Sequence, residues 1–116
     1  MNLSQFYATV GGDYNAALGR LVNDAFMLRF LRKFPADPAF GELTAALAAQ
    51  ELCGAFRAAH TLKGTAATLG LDALAAAASA LTEALRPQTA LPPQTLVSAV
   101  QSAYETAITS IAQLDG

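Results

Sequence analysis

Tryptophan is absent from this 116-residue chain, and cysteine and histidine occur once each. A lone cysteine excludes an internal disulfide framework and fits a reducing compartment. The β-branched aliphatics are scarce, with 4 Val and 2 Ile against 27 Ala and 17 Leu. Val and Ile suit strands, whereas Ala and Leu are strong helix formers, so the balance argues against an all-β or doubly wound α/β fold. An excess of positive charge is also missing. Seven Lys+Arg stand against nine Asp+Glu, a net of -2, which speaks against a nucleic-acid protein that draws affinity from phosphate neutralisation.

Long apolar runs are missing as well, although mean hydropathy is positive at +0.34. The longest uncharged run, 87–104, holds Pro87, Pro92, Pro93, Gln88, Gln94, Gln101 and several hydroxyls. It is not a span of ~20 predominantly apolar residues, so no membrane crossing is expected. The first residues, MNLSQFYATVGGD, show no basic stretch followed by an apolar one, and a cytoplasmic location is expected. The length suits a single domain, 1–116, that buries roughly two-thirds of its unfolded surface around one core.

What is present is helical periodicity punctuated by stops. Leu3, Phe6, Tyr7 and Val10 follow i, i+3, i+4, i+7, a short helix ended by Gly11-Gly12. Asp13 can cap a second helix with Tyr14, Leu18, Leu21, Ala25, Leu28 and Leu31 on its apolar side, stopping by Phe34 before Pro35. Asp37-Pro38 starts a third helix reaching about Gln50. A fourth runs from about Glu51 to Leu69 and closes at Gly70. The fifth starts near Asp72, turns Leu74, Ala78, Leu81 and Leu85 inward and breaks at Pro87. After a loop at 86–93, the last helix carries Val97, Val100, Tyr104, Ala107, Ile111 and Leu114 at near-heptad spacing. Short connections make long helices antiparallel neighbours. The expected fold is an all-α, up-and-down antiparallel four-helix bundle with an extra short N-terminal helix and a core over about 13–114.

The only histidine, His60, lies in FRAAHTLKGTAATLG. Leu52, Ala55, Phe56, Ala59, Leu62, Ala66 and Leu69 form one apolar stripe, and at about 100° per residue His60 lies roughly 115° from its centre. The ring is therefore expected on the exposed flank. Gly64 follows one turn later on the same side; a glycine inside a helix costs about 1 kcal/mol relative to alanine, and this chain uses alanine almost everywhere else. A bare backbone there leaves room for a bulky group or a partner. Lys63 neighbours His60 on the helix surface, and Arg57 lies one turn before it. The ordinary readings are a boundary histidine, a glycine that lets helices pack closely, and a snorkelling lysine. Together the three residues describe a neutral imidazole with a free nitrogen, space beside it and a cation in reach, which suits a transient phosphohistidine.

The stretch His60 to Gly70, H-T-L-K-G-T-A-A-T-L-G, resembles the histidine-containing phosphotransfer (HPt) domain family, whose pattern is H-x-x-K-G followed by a small hydroxyl residue and Leu-Gly. The positions that match are His60, Lys63, Gly64, Thr65, Leu69 and Gly70. The resemblance implies a carrier in a His–Asp phosphorelay, with His60 as acceptor, Lys63 as electrostatic support and Gly64 giving access. It implies as partners a receiver domain, a hybrid sensor histidine kinase, or both, contacted through a surface with Arg57, Ala67 and Thr82. Many members carry Gln or Glu on the next helix, twenty-two residues after the histidine, where it can hydrogen-bond the imidazole. This chain has Thr82 there with Glu83 adjacent, and a threonine hydroxyl is shorter.

Other chemistry is thin. Gly11-Gly12 followed by Asp13 is a helix break and no G-x-x-x-x-G-K-[ST] loop occurs, so the chain is not expected to be a kinase or other enzyme with its own nucleotide site. No Asp/Glu cluster suits Mg²⁺, which is expected on the receiver. Cys53 and His60 are about 10 Å apart along a helix and cannot share a zinc ion, and Ser79 and Asp72 offer no triad with His60. No cofactor is expected, and a monomer is. The alternative is a non-phosphorylated HPt-like helical adaptor that docks a receiver domain or regulates a histidine kinase; a plain structural bundle is the third reading. The intact motif favours the carrier.

Overall fold

The computed structural model describes residues 1–115, which form seven α-helices and one 3-10 turn. In chain order these are α1 (Leu3–Thr9), α2 (Tyr14–Leu21), α3 (Asp24–Lys33), the turn Phe34–Ala36, α4 (Ala39–Ala48), α5 (Leu52–Leu69), α6 (Asp72–Leu85) and α7 (Gln94–Ala112). No strand occurs among the described residues. The start signals act as their chemistry dictates. Asp13 accepts a hydrogen bond from the Ala16 amide and Asp37 from the Ala39 amide, while Gly70 closes α5 in the left-handed conformation at φ 77°.

α5 packs between α4 and α6, α6 packs on α7, and the Phe40 and Tyr104 rings, stacked with centroids 3.8 Å apart, join α4 back to α7. This closes an up-and-down bundle. Its α5 core face is Ala55, Ala58, Ala59, Leu62, Ala66 and Leu69, and alanine there lets α4 and α6 approach closely. Leu74, Ala78, Leu81 and Leu85 of α6 meet it, with Val100, Ala107 and Ile111 of α7. No helix among the described residues is long and apolar enough to cross a membrane.

Two expectations are corrected. The second helix is not continuous to Phe34. It breaks at Val22, which sits at φ 73° and ψ -54° in a γ-turn closed by the Asn23 amide on the Leu21 carbonyl. Asn23 then caps α3 through the Phe26 amide. The break resets the helical phase, so Ala25 is exposed and Ala17 and Met27 are buried instead. One edge of the bundle is consequently composite. α3 lies beside the C-terminal half of α5 and α4 beside its N-terminal half, separated by the Phe34–Ala36 turn, where Pro35 and Pro38 interrupt the helix.

The N-terminal helices lock the far end of α5. The buried Tyr7 hydroxyl donates to the Leu69 carbonyl at 2.8 Å, and burial pushes the phenol up to about 12. A side chain at Gly12 would stand 2.2 Å from the Gly70 carbonyl oxygen, so backbone meets backbone at this crossing.

Candidate functional site

The middle of α5 carries the candidate residues. His60 is exposed, as its angle from the apolar stripe requires, and its ring stacks on that of Phe56 one turn earlier, with centroids 6.2 Å apart and planes 19° from parallel. Lys63 is half-buried. Gly64 is exposed, and a β-carbon built on it meets nothing within 4 Å. Close helix packing therefore does not explain this glycine. Instead, the bare backbone opens onto a cleft of about 790 Å³ between α5 and the composite edge, lined by Phe30, Phe34, Thr61, Thr65 and Leu69 with Lys33 and Asp37 at its polar side. The cleft exists because α3 and α4 are interrupted opposite Gly64.

Ala67 is exposed beyond Gly64, on the surface where the sequence places it. Arg57 is exposed too, but its guanidinium donates to the Cys53 sulfur at 3.2 Å, one turn further from His60. Thr82 is a correction. It is fully buried, and its hydroxyl donates to the Ala78 carbonyl at 2.7 Å. It neither faces a partner nor reaches the imidazole, because Leu81, Thr82 and Leu85 together form the inward side of α6. The next residue, Glu83, takes the outer position.

Sequence reading missed the group on the other flank of His60. Arg86 donates to both oxygens of Glu83, at 3.0 Å from Nε and 2.8 Å from Nη2, and its guanidinium lies 5.2 Å from the centre of the Phe56 ring. The hydrogen bond from Arg86, and secondarily the positive potential of Lys63 and His60, hold the Glu83 carboxyl below the usual carboxylate range. The i, i+3 spacing of Glu83 and Arg86 was the available signal. No group of His, Cys, Asp and Glu among the described residues could hold a metal ion.

A family model described as Hpt domain matches residues 30–113, from the last turns of α3 to the end of α7. The chain belongs to the Hpt-domain family. Hpt domains serve phosphotransfer in two-component signalling, as phosphocarriers rather than kinases, and interact with receiver domains and histidine kinases. No curated protein and no solved structure matches this Hpt domain. Its α1, α2 and the connection between them lie before the matched residues, and Tyr7 of α1 and Gly12 of that connection make the contacts that lock the end of the site helix.

Proposed function

We propose that this Hpt domain carries a phosphoryl group on His60 within a His–Asp phosphorelay, exchanging it with the aspartate of a receiver domain. One observation carries the reading: an exposed imidazole stands beside a glycine whose missing side chain leaves open space. In the transfer, a ring-nitrogen lone pair attacks the phosphorus of an aspartyl phosphate. The P–O bond breaks with its electrons going to the aspartate carboxylate, and a P–N bond forms. The other ring nitrogen keeps its hydrogen, which water can then take. The product carries about two negative charges, and Lys63 is the neighbouring cation that offsets them.

The receiver docks over the cleft beside Gly64, which Phe30 lines at 42% exposure, with Phe26, 41% exposed, stacked on it. Apolar area of this kind, rimmed by charge, suits a transient interface of modest size. On this reading the domain is a cytoplasmic monomer without a cofactor of its own, and the Mg²⁺ of the reaction sits on the receiver.

Incubation with a ³²P-loaded receiver domain and Mg²⁺ is expected to place acid-labile, base-stable label on the wild type and none on His60→Gln. Label retained by His60→Gln would move the acceptor elsewhere. Receiver binding with no label on the wild type would favour an adaptor that docks without transfer.

A further inference from the structure

The densest charge near His60 belongs to α6 rather than α5. Glu83 and Arg86 form a forked pair, and Arg86 lies against the Phe56 ring on which the imidazole stacks. Glu83 also feels the charges of Lys63 and His60. The carboxylate thus engages Arg86, the cation that shares the Phe56 ring with His60, and feels the field of Lys63, the cation on the helix of His60 itself. The remaining charges around the ring are Arg57, turned to Cys53, and Lys33 and Asp37 across the cleft.

We propose that Glu83 is an internal competitor for the cations of the phosphohistidine, a positioning residue that occupies Arg86 while His60 is free and yields it when His60 is loaded. The inference rests on His60 being the acceptor. A phosphoryl dianion offers three oxygens to a guanidinium fork and outcompetes a single carboxylate. Glu83 is then left without its partner and next to a like charge. That cost exists only in the loaded state, so it makes the phosphoryl group easier to give away and tilts the carrier toward discharge. No bond of the transfer changes. Glu83 and Arg86 side chains are 58% and 54% exposed, so water and salt screen the effect, and a shift of about two- to five-fold is the range to expect of such a pair.

The test loads the whole protein chemically with phosphoramidate, so it needs no particular receiver, and follows the ³¹P resonance of the phosphohistidine against pH. Glu83→Gln removes a neighbouring negative charge and frees Arg86, so its midpoint falls, corresponding to a two- to five-fold loss of proton affinity. Arg86→Gln moves the midpoint upward by a similar factor. Both shifts shrink in 0.5 M salt, and helix content stays unchanged. A wild-type midpoint in either variant overturns the competition while leaving the acceptor assignment standing. A phosphohistidine resonance on His60→Gln, or none on the wild type, overturns that assignment and this inference with it.

Discussion

At Gly64 a single missing side chain lowers helix stability while leaving open the approach to His60 that the proposed transfer needs. A helix-interior glycine costs about 1 kcal/mol relative to alanine, and here nothing inside the molecule demands it, since a β-carbon would meet open space. Gly64→Ala is therefore expected to raise the unfolding free energy by about 0.5–1 kcal/mol in urea melts, while slowing phosphotransfer by crowding the approach to His60. Gly19, in α2, is equally unobstructed and distant in sequence from His60. Gly19→Ala should stabilise similarly and leave transfer untouched. If Gly64→Ala transfers at the wild-type rate, access is not its role. The placement of His60, Lys63 and Gly64 on the outer side of α5 was legible because their spacing in a helix fixes their neighbours. Thr82 was misjudged because its distance along the chain from His60 says nothing about which way α6 is turned. Burial of Leu81 and Leu85 on either side rotates Thr82 inward and presents Glu83.

At the scale of elements, the telling feature is the break between α2 and α3. Apolar spacing runs almost unbroken from Tyr14 to Leu31, and only Asn23-Asp24 hints at a new start. A β-branched residue at positive φ is strained, and Val22, 75% exposed, buries little to compensate. Relief of that strain outweighs the greater freedom of glycine in the unfolded chain, so Val22→Gly is expected to stabilise by up to about 1 kcal/mol. Calorimetry checks it; a lowered Tm would mean that the turn is not under strain. The other boundaries were readable because local chemistry decides them: a carboxylate caps an amide at Asp13 and Asp37, and glycine tolerates the left-handed turn at position 70.

The whole molecule decides how a partner meets the site. The bundle is elongated, 43 × 22 × 20 Å, and His60 lies between two unlike flanks. Toward α6 stand Phe56, Glu83 and Arg86; toward α3 the Gly64 cleft opens past Phe30. Phe30→Ala is expected to weaken receiver binding about ten-fold in a titration, the scale of an aromatic anchor at an interface worth roughly 1.4 kcal/mol. Its Tm should stay within a few degrees, because the ring is already 42% exposed. Unchanged affinity would place the docking surface elsewhere. The sequence by itself determined most of the helices, though not the break between α2 and α3, together with their antiparallel order and the placing of His60, Lys63 and Gly64 on one side of one helix, because caps, breaks and helical period act over a few residues. Only the tertiary structure decided that α3 and α4 share one edge, that their interruption opens a cleft opposite Gly64, and that Thr82 turns into the core while Glu83 takes the outer position of α6. Those outcomes depend on how separate helices rotate and stack to bury their apolar sides, a choice made jointly by residues far apart in the chain.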